Sequence, residues 1–131
     1  MKRISAYALI LFVIIGFSSC AEENGEEKNS AVITITGPVE NGHIHHADTL
    51  EIRGTIVSVM DLHGYNVSIR RTDTQSEVFY YDDHYHGNNK NLNINWPCTV
   101  NDDVQLKLTI TAKLDHEGGA AIKSVSFNCE P

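Results

Sequence analysis

The run Tyr80-Tyr81-Asp82-Asp83-His84-Tyr85-His86-Gly87-Asn88 sets two imidazoles one residue apart, directly behind two aspartates. In an extended backbone successive side chains alternate, so His84 and His86 face the same side. Two imidazoles placed this way can share one metal ion, but a zinc site in a soluble domain takes three or four ligands. Two further histidines sit in similar polar surroundings: His63 in Met60-Asp61-Leu62-His63-Gly64-Tyr65, and His116 in Leu114-Asp115-His116-Glu117-Gly118-Gly119. Asp61, Asp82, Asp83 and Asp115 stand beside them, as ligands or as acceptors for ring N–H groups. Imidazole with carboxylate suits zinc or copper(II). Copper(I) would want more thioether than Met60 supplies, and calcium would want more oxygen. His43, His45 and His46 form a second, purely local cluster. The alternative for each histidine is an idle, solvated loop side chain, or a packing cluster with Tyr81 and Tyr85.

Whether four distant histidines meet depends on the strands that carry them. Residues 31–36 alternate apolar residues with threonine and stop at Gly37-Pro38. Further alternating runs cover about 49–59, 65–71, 77–81, 92–96, 104–112 and 121–128. Polar or glycine-rich turns separate them, among them 72–76, 87–89 and Gly118-Gly119. Helical periodicity is absent after the N-terminal leader. Seven short strands in about 100 residues predict an all-β fold, a seven-stranded β-sandwich of immunoglobulin or fibronectin III kind. The antibody-type pattern of two mid-strand cysteines around a tryptophan is missing, because Trp96 comes late.

In such a sandwich the strands run alternately up and down, so the loops alternate between two poles. His63, the His84/His86 pair and His116 then fall in three loops of one pole. His43, His45 and His46 fall at the other. Cys98 and Cys129 also share that second pole. A bridge between them would close a loop of about 30 residues, worth roughly 3–4 kcal/mol; the alternative is two free thiols.

The N-terminus is a targeting segment. Lys2 and Arg3 precede an apolar run from about residue 6 to 17, and then Phe17-Ser18-Ser19-Cys20. This resembles the lipobox of bacterial lipoproteins, although leucine is usual where Phe17 stands. The resemblance implies a signal peptide over 1–19 and lipidation of Cys20. An ordinary secretory signal is the other reading. Residues 20–30 are acidic and polar and predict a flexible tether to a domain over 31–131. The acidic run resembles the surface-export signal of Bacteroidetes lipoproteins. That implies a bacterial outer-membrane lipoprotein, at the cell surface or facing the periplasm, with the membrane as partner through its lipid. An exported chain can also keep a disulfide.

The whole chain carries a net charge of −7, and loss of Lys2 and Arg3 makes the mature form more acidic still. That argues against nucleic acid as a partner and is compatible with cations. No Gly-x-Ser-x-Gly, His-Glu-x-x-His or phosphate-cradling glycine loop is present, so no enzyme is predicted.

The domain is similar to small Bacteroidetes lipoproteins with an immunoglobulin-like sandwich, histidine-rich loops and no established activity. The matching segments are Pro38 to Gly42, Leu62-His63-Gly64-Tyr65, His84-Tyr85-His86 and Asp115-His116-Glu117-Gly118. His43-Ile44-His45 echoes the His-x-His pair of copper/zinc superoxide dismutases, but their long zinc loop and late arginine are missing.

The expected function is non-catalytic binding of a zinc or copper ion through His63, His84, His86 and His116. Imidazole ligates as the neutral base, so binding should weaken below about pH 6. The second reading is an accessory module that binds a surface or periplasmic protein, or a glycan, through Tyr80, Tyr81 and Tyr85.

Overall fold

The computed structural model describes residues 27–131. The predicted signal peptide, Cys20 and most of the predicted tether lie outside them. Eight strands form two packed sheets: β1 (Ala31–Gly37), β2 (His43–His45), β3 (Thr49–Ser58), β4 (Gly64–Arg71), β5 (Glu77–Asp83), β6 (Asn89–Pro97), β7 (Val104–Lys113) and β8 (Ala120–Glu130). One sheet has the order β1-β3-β6 and the other β2-β8-β7-β4-β5. The predicted all-β sandwich is therefore the observed fold, with one strand more than the alternation showed.

The extra strand is β2. Only Ile44 in it is apolar, and three residues are too few to show a period. It forms because Ile44 turns inward to 7% exposure while the backbone pairs in parallel with the end of β8. β8 in turn runs to Glu130, so Cys129 lies within a strand rather than after one.

Alternation along the long strands builds the core. Ile52 and Ile56 of β3 and Trp96 of β6 line the three-stranded sheet. Val67 and Ile69 of β4, Leu106, Leu108 and Ile110 of β7, and Phe127 of β8 line the other. Each such side chain contributes about 1.5–3 kcal/mol on leaving water. Phe79 on β5 reaches across to Trp96 with ring centroids 6.2 Å apart, joining the sheets near one edge. Gly54, at the middle of β3, leaves room for the Thr34 carbonyl of β1, which occupies the place a Cβ would take.

One pole gathers the connections 59–63, 84–88 and 114–119, and backbone hydrogen bonds lace them together. Ser58 N–H donates to Asn88 O at 2.9 Å, Leu62 N–H to Gly87 O at 2.9 Å, and His63 N–H to Lys113 O at 2.8 Å. Asn29, which the sequence assigns to the tether, is buried at this pole. Its Nδ2 donates to the carbonyls of Asp61 and Leu114, both at 3.1 Å, and its Oδ1 accepts from Met60 N–H at 2.9 Å. One amide thus clamps two loops that are far apart in sequence. Asn29→Ala leaves the buried Leu114 carbonyl without its donor and should cost on the order of 1–3 kcal/mol. Urea unfolding measures this, and a change within about 0.5 kcal/mol, the usual surface range, would show that the clamp contributes nothing.

At the opposite pole Arg71 joins the turn after β4 to the loop after β6. Its Nη2 donates to Asp73 Oδ2 at 2.8 Å and to Asp102 Oδ2 at 2.7 Å. The Arg71 hydrogen bonds hold Asp73 down to about 2 and keep Asp102 below the ordinary carboxyl range. An unfolded aspartate titrates near about 3.9. The folded values are the lower ones, so the contribution is whole above about pH 4 and is lost as pH falls toward 2. Arg71→Met should flatten the acid-side decline of the thermal midpoint across that window. Parallel curves for the two proteins would mean that these groups carry none of the acid dependence.

Candidate functional site

The strand count places the histidines as the loop alternation predicts. His63 ends the loop before β4, His84 and His86 follow β5, and His116 lies in the turn between β7 and β8. Their rings form one continuous chain. His84 and His86 have centroids 4.6 Å apart, His86 and His63 5.8 Å, and His63 and His116 4.0 Å. The Nε2 atoms of His84 and His86 face each other at 2.9 Å, so one ring N–H donates to the other ring's lone pair.

Local structure explains the positions. β5 continues through Asp82 and Asp83, so His84 is the first residue beyond it. Tyr85 turns the other way: its hydroxyl donates to Asn89 O at 2.6 Å, and Lys90 Nζ lies 4.8 Å from its ring centroid. That anchored tyrosine leaves the flanking imidazoles on a common side. His63 is held between Leu62, which is fully buried, and Gly64, whose φ of 130° is unfavourable for any other residue. Its Nδ1 is buried and, among the described residues, has no hydrogen-bond partner. His116 rides on a turn fixed by Asp115, whose Oδ1 accepts from the N–H groups of Gly119 and Glu117, each at 2.8 Å. Those donors keep the Asp115 carboxyl below its ordinary range, and Gly118, at φ 97°, allows the turn.

The four candidate carboxylates divide. Asp82 binds Lys113 at 2.6 Å. Asp83 accepts from the Tyr65 hydroxyl at 3.1 Å and lies 3.6 Å from Lys90. Burial, with that hydrogen bond second, pushes the Tyr65 phenol above its usual range. Asp115 is taken up by its own turn. Asp61 remains beside His63, in a depression of about 500 Å³ that Lys28, Met60, Asp115 and Glu117 also line. Among the described residues, no three His, Cys, Asp or Glu side chains have donors already gathered as a metal site. The histidine pole is a set of adjacent rings and not a formed coordination sphere.

At the far pole, β2 sends His43 and His45 outward on either side of Glu130. His43 Nδ1 is 2.8 Å from Glu130 Oε1, and His45 Nε2 is 3.8 Å from Glu130 Oε2. His46 turns away, with Nδ1 3.0 Å from Val100 O. Cys98 and Cys129 meet as expected of residues at one pole, but as two buried thiols with Sγ atoms 3.1 Å apart. The bridge expected from the sequence is not formed in this structure. Burial and the neighbouring Cys98 push the Cys129 thiol up to about 12, which keeps it protonated. The three tyrosines share no face: Tyr80 points outward at 53% exposure, Tyr81 packs 6.1 Å from the Tyr65 ring, and Tyr85 is tied down as described.

Sequence reasoning missed Asn29 and Glu130. The first is one polar residue in a polar run. The second acquires its partners only through a parallel pairing that no local pattern announces.

No family model and no curated protein matches the sequence. Among solved structures, fibronectin(III)-like modules of Clostridium thermocellum CbhA are similar at 14% identity and a TM-score of 0.48, covering 76% of this chain and 96% of theirs. A CARDB domain from Pyrococcus furiosus, solved in complex with di-metal ions, is similar at 12% identity and 0.46, covering 80% and 97%. The sandwich assignment rests on the strand order itself and not on these neighbours.

Proposed function

We propose that the chain is an exported, lipid-anchored outer-membrane module that binds zinc or copper(II) at the pole formed by His63, His84, His86 and His116. The observation that carries this reading is the continuous chain of four imidazoles contributed by three loops. Tetrahedral zinc with Zn–N bonds of about 2.0–2.1 Å sets its nitrogens about 3.3 Å apart. The facing Nε2 atoms at 2.9 Å need to open only slightly to admit an ion between them. His84, His86 and His116 are exposed, while the laced loop backbones hold their origins fixed. The unpartnered Nδ1 of His63 adds support, since a buried polar atom without a partner costs about 1–3 kcal/mol. Asp61 is the carboxylate placed to join as a ligand or to orient a ring. With no nucleophile or acid–base pair built into the pole, the chemistry supported is binding, in sensing, storage or handover. The lipid anchor and the outer-membrane location rest on Phe17-Ser18-Ser19-Cys20 and the acidic run that follows.

The second reading, a protein- or glycan-binding module without metal, draws on Tyr80 at 53% and Ile122 at 66% exposure on the outer face of the five-stranded sheet. Metal analysis separates the two. The first reading requires stoichiometric zinc or copper after loading that is removable by EDTA and lost in His84→Ala/His116→Ala; the second requires none at this pole.

A further inference from the structure

We infer that His43, His45 and Glu130 form a second metal site, separate from the histidine pole, for a divalent transition ion of the zinc and copper(II) class. It rests on different residues at the opposite end of the sandwich and does not depend on the reading above.

The backbone builds this site. β2 pairs in parallel with β8 in a register that sets His45 opposite Glu130 and His43 opposite Asn128. Ile44, buried between them, fixes which way the strand faces, so both imidazoles emerge on the outer side. The pairing is pinned at both ends, by Asn128 N–H to Gly42 O at 2.7 Å and His46 N–H to Glu130 O at 2.8 Å. Glu130 then directs one carboxylate oxygen toward each ring. His43 Nδ1 is hydrogen-bonded to Glu130 Oε1 at 2.8 Å and His45 Nε2 lies 3.8 Å from Oε2, so the three groups are neighbours whose donors, like those of the histidine pole, are not yet gathered about one point. Two imidazoles and one carboxylate are a recurrent donor set for such ions, and they leave a coordination position open.

All three side chains are 41–60% exposed, where pairs of this kind contribute little to stability. His46, adjacent in sequence, is excluded because its Nδ1 is engaged by the Val100 carbonyl. Asp103 lines an open depression together with His43 and Glu130 and adds negative charge to that part of the surface. The site is shallow and solvent-facing, which suits an ion taken up and released rather than one held permanently.

Equilibrium dialysis of the purified full chain in detergent against zinc chloride tests the inference. Circular dichroism in EDTA serves to confirm that each variant is folded. The wild type should bind two equivalents. Glu130→Gln, which preserves shape but removes the anionic ligand, should weaken one of them by about 10–100-fold, the scale on which metal sites respond to such losses. His43→Gln/His45→Gln should lose the same equivalent, and His84→Ala/His116→Ala should retain it. Unchanged zinc binding by folded Glu130→Gln overturns the inference. A single wild-type equivalent lost only in the His84/His116 variant overturns it while leaving the pole reading intact. A single equivalent lost only in the Glu130 and His43/His45 variants upholds it and removes the pole reading.

Discussion

His84→Ala/His116→Ala is expected to lose tight metal binding at the histidine pole while keeping the fold. These two residues come from different loops, so the double substitution removes the ring that faces His86 and the ring tilted against His63 in one step. Two of the four imidazoles go, and affinity should fall by on the order of 100-fold or more, since even a lost outer partner costs 10–100-fold. Thermal denaturation reads the loss. Metal at 100 times its dissociation constant stabilises the native state by about 2.7 kcal/mol. For a domain of this size, that raises the midpoint by on the order of 10 °C. The wild type should show this rise with zinc or copper, and the double variant should keep only the part that the His43/His45/Glu130 site contributes. In EDTA the two midpoints should nearly coincide, because both side chains are exposed and carry no core packing. Equal affinity in the two proteins would mean that the loops do not cooperate.

The largest stability effect is expected from Phe127→Ala. Phe127 is 1% exposed and sits opposite Leu106 in the β7–β8 pairing, facing the three-stranded sheet. Truncation leaves a cavity that the rigid strands on either side cannot close, at a cost of about 3–5 kcal/mol. Total stability for such a domain is about 5–15 kcal/mol, so the variant should be marginal. Urea unfolding should show a midpoint lower by about 1–5 M with little change in slope, given a slope of about 1–3 kcal/mol per molar. A cost below about 1 kcal/mol would show that the core around β8 repacks, contrary to the close packing expected of interiors.

The sandwich was legible because β3, β6 and β7 obey a period of two without interruption. Ile52 and Ile56, or Leu106, Leu108 and Ile110, each state which face is wet. Loop polarity follows from the up-and-down course of those strands, which is why the sequence alone groups His63, His84, His86 and His116 at one pole. What the pattern could not carry was pairing. β2 contains a single apolar residue, and its parallel register with β8 depends on contacts made only in the assembled sheet. The partnership of Glu130 with His43 and His45 was therefore invisible. Asn29 was hidden for a related reason: its hydrogen bonds go to main-chain carbonyls, which leave no trace in residue type. The commitments of Asp82 to Lys113 and Asp83 to Tyr65 are likewise matters of strand register. The sequence placed both aspartates beside the histidines, but the fold directs their carboxylates to neighbouring strands.

The most direct test of the histidine pole is metal content paired with the thermal midpoint of the purified full chain, before and after EDTA. The account predicts at least one equivalent of zinc or copper per chain after loading that Glu130→Gln retains and His84→Ala/His116→Ala loses, a midpoint that falls on chelation, and recovery when the metal is restored. A chain that takes up no stoichiometric metal, and whose midpoint ignores both added zinc or copper and EDTA, would contradict it.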